Sequence, residues 1–345
     1  MRIGIIGFGR AATVHLDALR LLPGVEVVAA CDPFPDGRDR ARAAGLAAYG
    51  GLEELLARTQ LDGAVVCTPP AEHADIAITC LERGLHVVCE KPLALTTWDV
   101  LKMLQTANRE RRRVLVASKF RHVPEVVRLN EMLAAGDLGE PVSFEVSFCS
   151  PVDMSGRWNS QRRLAGGGVI IDNGCHAFDI VSFLFGSIRR VHATRLKPLQ
   201  ALEVEDSATI QVWAGEGVVG RVNVSWSLSA PRDDYLVVHG SEATVEVGWQ
   251  SCRLKRNGQP WRDIGGAYNK IEAHRTMHAC FVQSIANGGD PWISTPECLQ
   301  VVATVDAAYR SLESGASEWV AIQGPRELSL VSWSNPGNPE MRHAL

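Results

Sequence analysis

Aromatic residues make up only 6% of this 345-residue chain, and its nine cysteines are scattered, odd in number and nowhere spaced as Cys-x-x-Cys. That excludes a disulfide frame and points to a reducing compartment. Cys31, Cys67 and Cys89 each close an apolar strand-like run, where a small buried hydrophobe fits. An excess of charge is lacking too. With 35 Lys and Arg against 39 Asp and Glu the formal net charge is -4, which leaves no electrostatic footprint for nucleic acid. The basic run at Arg109, Arg111, Arg112 and Arg113 reads as a solvated helix end, where cations are favoured. No apolar stretch approaches the roughly 18 residues of a membrane span, no signal peptide precedes the first strand, and repeats and low-complexity segments are missing. The expectation is a cytoplasmic, soluble protein with neither a membrane nor a nucleic-acid partner. Apolar residues at 46% and charged residues at 21% are ordinary for a globular protein, and the length suggests two domains.

What is present begins at residue 1. Met1 to Ile6 is an apolar run that breaks into Gly7-Phe8-Gly9-Arg10-Ala11-Ala12, after which Ala12, His15, Leu16, Leu19 and Leu22 recur on neighbouring turns of a helix. Strand, glycine turn and helix suit a dinucleotide. Gly7 permits the tight turn, Gly9 lets the backbone approach a pyrophosphate, and Ala12 lets the helix pack closely on the strand. The free amides and positive dipole end of that helix then face the phosphates. Alone, the motif fits an ordinary tight turn equally well. The next strand, Val25 to Cys31, ends in Asp32, about 20 residues past the turn, where a carboxylate can bond both ribose hydroxyls of an adenosine. A 2'-phosphate there would meet a like charge, so NAD is favoured over NADP, although Arg38, Arg40 and Arg42 keep NADP open. Taken alone, an acid before Pro33 is more commonly a helix cap or turn residue.

Helices at 37–44 and 52–58, a strand at 63–67, Thr68-Pro69-Pro70 with His73 opening the next helix, a strand at 85–89, a helix at 97–108 and a strand at 114–117 continue the alternation. This predicts a doubly wound parallel sheet over residues 1–121, with ligands at the carboxyl ends of its strands. Over 122–345 the character changes. After a helix at 124–135, period-two runs at 141–148, 191–196, 207–213, 218–228, 235–239 and 244–249 predict a mostly antiparallel sheet with helices on one face. Helices at 274–286 and 296–314 are split by Gly288-Gly289-Asp290-Pro291, and the polar tail from Gln323 is expected on the surface. Eight of the nine tryptophans follow residue 150. Large aromatics on an open sheet face suggest a subunit contact, hence a homodimer or homotetramer.

Two further stretches can carry chemistry. Glu90-Lys91-Pro92 falls at a strand's carboxyl end, the edge a nicotinamide would reach. A lysine beside that cationic ring has a lowered pKa and can donate or accept a proton, although a solvent-facing loop lysine is the commoner case. A cis bond before Pro92 is open to the sequence but not legible in it. Gly166-Gly167-Gly168 is expected to be a flexible run opening a helix on which Asp172, His176 and Asp179 share one face. A carboxylate paired with a histidine fixes its tautomer and brings its pKa near neutrality, which suits a general base. The apolar neighbours Ile170, Ile171, Phe178 and Val181 bury that helix, so its polar stripe needs a cavity or partners. His274 and His278 are also four apart, but the glutamate of a zinc-protease helix is missing and no third ligand is evident, so no metal is expected.

In order along the chain, Gly7 to Ala12, Asp32, Thr68-Pro69 with His73, Glu90-Lys91-Pro92, Arg157-Trp158 ahead of Gly166-Gly167-Gly168, and Asp172-x-Gly174-x-His176-x-x-Asp179 resemble the glucose-fructose oxidoreductase / inositol dehydrogenase family. The resemblance covers nearly the whole length. It implies a Rossmann domain followed by an open-faced sheet domain, NAD or NADP as cofactor, and dimers or tetramers. It implies that Gly7, Phe8, Gly9, Arg10, Ala11, Ala12, Asp32, Pro33, Thr68, Pro69, His73, Glu90, Lys91 and Pro92 hold the cofactor. Lys91 would contact the substrate oxygen, Asp172 would hold a substrate hydroxyl and orient the base, and His176 would move the hydroxyl proton, with Arg121 and Trp158 also at the substrate. Pro70, where asparagine is common, and Ala243, where glycine is usual, depart from the family pattern. The implied reaction is hydride transfer between the cofactor and a secondary alcohol of a sugar, polyol or sugar nucleotide. Two alternatives are an NAD-dependent glycosidase working by transient oxidation, against which the missing export signal argues, and a dinucleotide-sensing regulator, against which Lys91 and His176 argue. Lys119, Arg121, Ser150 to Gln161 and Asp233 to Tyr235 are expected to shape the pocket.

Overall fold

The computed structural model describes residues 1–230, 232–287 and 295–322, so the Gly288-Gly289-Asp290-Pro291 break and the tail from Gln323 lie outside the described residues. Six short strands build the first sheet: β1 (Arg2–Ile6), β2 (Glu26–Cys31), β3 (Ala47–Tyr49), β4 (Gly63–Val66), β5 (His86–Cys89) and β6 (Val114–Val116). They alternate with α1 (Arg10–Leu19), α2 (Pro35–Ala43), α3 (Leu52–Arg58), α4 (His73–Glu82) and α5 (Thr97–Arg109). Strands such as β4, buried at every residue, are apolar throughout because helices cover both faces of the sheet. The strand order is β3-β2-β1-β4-β5-β6, all pairs parallel, so the winding reverses between β1 and β4. A ligand crevice therefore opens beyond the carboxyl ends of those two strands.

The rest of the chain runs through α6 (Pro124–Ala134), β7 (Pro141–Cys149), a single turn α7 (Arg162–Ala165), α8 (Cys175–Phe185), β8 (Ile188–Arg195), β9 (Ser207–Ala214), β10 (Val218–Ser225), β11 (Asp234–Gly240), β12 (Ala243–Gly248), β13 (Cys252–Arg256) and β14 (Arg262–Gly265). It ends in α9 (Lys270–Asn287), α10 (Thr295–Ser314) and β15 (Glu318–Trp319). The second sheet has the order β14-β13-β12-β11-β7-β10-β9-β8-β15, antiparallel except for the β7–β10 pair. Along β7, Phe144, Val146 and Phe148 turn inward while Val142 and Glu145 face out. The inner face packs with α8, of which Phe178, Ile180 and Val181 are fully buried. β13 to β15 escaped the periodicity because β13 carries charges on its outward positions and β15 is two residues long.

Two expectations need correction and two are refined. The outer sheet face is aromatic only in part: Trp226 is buried and Trp249 packs on Tyr235, while Trp213 lies on the outer face with the Arg190 guanidinium 4.0 Å from its ring centroid and Trp319 is exposed beside the same arginine. Beyond the division expected at residue 121, Met277 and Phe281 of α9 and Cys298, Leu299 and Val302 of α10 also pack into the core of the first sheet. One stretch, Arg162–Phe185, is long and apolar enough to cross a membrane by length and composition, yet 72% of its apolar window is buried inside this fold. The glycine run is packed rather than flexible, since a Cβ on Gly167 would lie 1.9 Å from the Tyr309 hydroxyl and one on Gly168 2.1 Å from the Glu205 carbonyl.

Buried Glu205 fixes where that run enters α8. Its Oε1 accepts hydrogen bonds from the Gly168 amide (3.1 Å), the Ile170 amide (3.0 Å) and the Tyr309 hydroxyl (2.8 Å). The chain then makes a π-helical turn, Ile170–Gly174, before α8 proper begins. Glu205→Ala leaves the Ile170 amide and the Tyr309 hydroxyl without that acceptor and the Gly168 amide with only the Tyr309 hydroxyl, 3.0 Å away, and is expected to cost about 3–5 kcal/mol, read as a lower urea midpoint. Glu205→Gln, which keeps one acceptor, should lose less, and an unchanged midpoint in both would remove this role.

Candidate active site

The glycine turn is squeezed between two loops. Gly7 has φ +80°, and a Cβ there would lie 2.9 Å from the Cys67 carbonyl group, so only glycine fits. Gly9 differs: it caps α1 without any side-chain bond, and a Cβ on it would meet nothing within 4 Å. The first amides of α1 therefore open onto free space at the crevice. Phe8 contributes through its backbone, its side chain being buried in the core. Asp32, 8% exposed, accepts from the Phe8 amide (2.7 Å) and the Phe34 amide (2.9 Å), which pins the carboxylate and leaves further lone pairs for a ligand. Arg38 donates to the carbonyls of Asp32 and Pro33, Arg40 to that of Phe8, and Arg42 to Asp39. Past β4, the Thr68 hydroxyl is buried without a hydrogen-bond partner among the described residues. His73, expected at the cofactor, lies between the carbonyls of Thr68 (2.9 Å) and Pro92 (2.8 Å) and braces the two loops. An uncapped helix start, a buried carboxylate and an orphaned hydroxyl along one crevice fit a dinucleotide.

At the end of β5 the peptide bond between Lys91 and Pro92 is cis. The Lys91 ammonium donates to Asp172 Oδ1 at 2.5 Å and to the Asp172 carbonyl at 3.0 Å. Burial pulls the lysine pKa down, but the carboxylates of Asp172 and Glu90 outweigh it and raise the pKa above the ordinary value. The expected lowering is thus not present in the protein itself: Lys91 is an ammonium and a donor. Glu90 accepts from His15 Nε2 at 2.9 Å, and His15 Nδ1 faces His278 Nε2 at 2.8 Å. Burial opposes ionisation of Glu90, yet the His15 bond and the charge of Lys91 hold its carboxyl well below the usual range.

His176 does not pair with Asp172 as the four-residue spacing suggested. The π-turn shifts the phase of the helix, so Asp172 turns to Lys91, while Asp179 turns the other way to Arg121. No described residue hydrogen-bonds to the His176 imidazole, which packs edge-on to Phe120 at 5.1 Å between centroids. Burial, aided by the charges of Lys119 and Lys91, holds its pKa well below 6.5, so the ring is neutral.

Lys91, Asp172 and His176 share one cavity of about 790 Å³ with Arg10 and Ala11 at its cofactor end and Phe148, Trp226 and Trp249 on its wall. Of the residues expected to shape it, Lys119, Asp233 and, from the stretch Ser150 to Gln161, Ser150, Pro151, Val152, Met154, Arg157 and Asn159 line it. Arg121 does not. Its guanidinium is buried between Asp179 (2.8 Å) and Glu297, where it offsets only part of the burial that raises the Asp179 pKa. Trp158 stands at the surface, 38% exposed, outside the cavity lining. Lys270 and His274 line the cavity unforeseen. His274 was visible only as half of a pair with His278, and the third member, His15, lies in α1. His15, Glu90 and His274 bring ligand atoms within 4.8 Å of one another. That spacing resembles a metal site, but His15 and Glu90 are bonded to each other and the Lys91 and Lys119 ammoniums face the same space, which opposes a cation.

A family model described as an oxidoreductase family with NAD-binding Rossmann fold matches residues 1–118, and one described as the GFO/IDH/MocA C-terminal domain matches 126–246. D-apiose dehydrogenase of Paraburkholderia graminis is 29% identical over 340 residues, spanning 90% of this chain and 87% of that protein. D-xylose 1-dehydrogenase (NADP(+)) 2 of Haloferax volcanii is 26% identical over 325 residues, spanning 90% and 98%. Among solved structures, GenD2 from gentamicin A biosynthesis, in complex with NAD, is similar with a TM-score of 0.82 at 27% identity over 93% of this chain and 96% of that one.

Proposed function

The chain belongs to the glucose-fructose oxidoreductase / inositol dehydrogenase / MocA family, and from that premise we propose that it oxidises a secondary alcohol of a sugar or polyol with NAD. The observation that carries this reading is the meeting of a charged Lys91, the Asp172 that holds it and a neutral, unbonded His176 at one end of the cavity. NAD, held by Gly7 to Ala12, Asp32, Pro33, Thr68, Pro69, Glu90 and Pro92, supplies the hydride acceptor when bound. His176 accepts the proton of the reacting hydroxyl. Lys91 donates a hydrogen bond to the same oxygen and stabilises the negative charge that grows there as the proton leaves. Asp172 keeps Lys91 in position and accepts from a neighbouring hydroxyl of the substrate, which orients the ring. Asp32 disfavours a 2'-phosphate and so selects NAD over NADP.

Nine free cysteines suit a reducing cytoplasm. Residues 1–121 serve as the cofactor unit and 122–345 as the substrate unit, and a homodimer or homotetramer assembles through the outer sheet face carrying Trp213 and Arg190. The apiose and xylose dehydrogenases among the relatives support a sugar as the substrate class.

A panel of aldoses, cyclitols and aryl glycosides, each incubated with NAD and in parallel with NADP, tests the reading. Net NADH formation exceeding NADPH formation is expected. Aglycone release without net NADH would indicate a glycosidase, and neither signal a sensor. With the substrate so found, His176→Ala and Lys91→Met should each lower kcat by about 10²- to 10⁴-fold, and near-normal turnover in both would contradict the assignment. The pH dependence has a definite sign. A base whose pKa lies below 6.5 stays competent as pH falls through 6.5 and loses activity only beneath it, so the acidic limb of kcat should lie below 6.5. A limb at 6.5 or higher would contradict a neutral, desolvated His176.

A further inference from the structure

The cavity beside His176 holds more positive charge than the reaction uses. Arg10, Lys91, Lys119, Arg157, Arg232 and Lys270 line it, against the acids Glu90, Asp172 and Asp233, in a chain whose formal net charge is -4. All three acids are engaged: Asp172 with Lys91, Glu90 with His15, and Asp233 with the Gln250 amide. Lys91 is held by Asp172, and Arg232 by Glu145 and Asp234. Among the described residues no carboxylate pairs with Arg10, Lys119, Arg157 or Lys270. Arg10, at the first turn of α1, stands where a dinucleotide's phosphates are met. Lys119 and Lys270 have no such explanation.

The two lysines reach the cavity from separate elements. Lys119 comes from the 3-10 turn Lys119–His122 that follows β6, and Lys270 from the first residue of α9. The Lys119 ammonium lies 5.1 Å from the Phe120 ring centroid, against the aromatic wall that also carries His176. Burial and the nearby charge of Lys270 push the Lys119 pKa down to about 8, and Lys119 in turn depresses His176 and His274. Two ammoniums lining one cavity beside an apolar wall, that of Lys119 partly buried and that of Lys270 exposed, repel, and an anion bound between them would relieve the repulsion. Nothing in the proton transfer requires them.

We propose that the substrate carries an oxyanion, as a sugar acid or a sugar phosphate does, and that Lys119 and Lys270 receive it while Arg157 lies at the rim. The inference rests on the dehydrogenase reading and narrows its substrate class. Anchoring one charged end of the molecule fixes which hydroxyl meets His176 and Lys91. It makes the two lysines specificity-determining rather than catalytic.

Calorimetric titration of the NAD-loaded protein with D-gluconate, D-glucuronate and glucose 6-phosphate, against neutral D-glucitol and D-glucose, tests it without turnover. At low salt a charged ligand is expected to bind at least about 10-fold tighter than its neutral counterpart, with the preference shrinking as salt is added. Whether the carboxylates or the phosphate lead identifies the oxyanion. Lys119→Gln and Lys270→Gln should each lower the charged-to-neutral affinity ratio by about 10- to 100-fold. Lys119→Arg, which keeps the charge, should preserve the ratio and separates charge from packing. Equal binding of charged and neutral ligands overturns the inference. So does loss of NAD affinity rather than of the ratio, which would assign the lysines to the cofactor's phosphates. Tight, salt-sensitive binding of an acid without any NADH formation upholds the anion site while failing the dehydrogenase reading, so the two failures are distinguishable.

Discussion

The contact between Lys91 and Asp172 is the constraint on which the site depends. Lys91 leaves the end of β5 in the first sheet, and Asp172 sits in the π-turn that feeds α8 beneath the second. Opposite unit charges about 4 Å apart attract by about 4 kcal/mol at an effective dielectric near 20, which is on the scale of the penalty for burying an ammonium. The sign of the outcome follows: the pair wins over burial and Lys91 stays charged. With Asp172 committed to Lys91, His176 has no carboxylate partner to stabilise its imidazolium, and burial with the surrounding positive charge holds it neutral. One ion pair thus sets both halves of the acid-base arrangement.

The π-turn makes that division of labour geometrically feasible. In a regular helix Asp172 and His176 would lie one above the other and would compete for each other. Glu205, by gathering the amides of Gly168 and Ile170, holds the chain where the extra turn width is needed. Farther along, Asp179 is taken by Arg121, so the three polar residues of one apparent stripe serve separate partners. The other side of the site is braced in the same manner. Glu90 is tied to His15 on α1, and His15 to His278 on α9, so the helix that starts at the glycine turn and the loop that carries Lys91 share a buried hydrogen-bonded chain.

Local physics made much of this legible in the sequence. Gly7, Gly9 and Asp32 could be read because a tight turn, a close backbone approach and a strand-end carboxylate each demand a particular residue type at a particular spacing. The parallel and antiparallel halves were separable because strands buried on both faces are uniformly apolar and strands buried on one face alternate. Long-range pairing was not legible. Arg121 was expected at the substrate through the family resemblance, and only the fold reveals Asp179 and Glu297 beside it. Lys270 was invisible because α9 starts a turn before its apolar pattern does. His274 and His278 were visible as a pair without meaning until α1 supplied His15.

The most direct measurement on the Lys91–Asp172 pair is a double-mutant cycle in single-turnover NADH formation, using Lys91→Met, Asp172→Asn and both together. If the two residues act as one unit, the double variant should be little slower than the worse single variant, because either change alone already releases the ammonium from its place. Losses that simply multiply in the double variant would contradict a site organised by that ion pair.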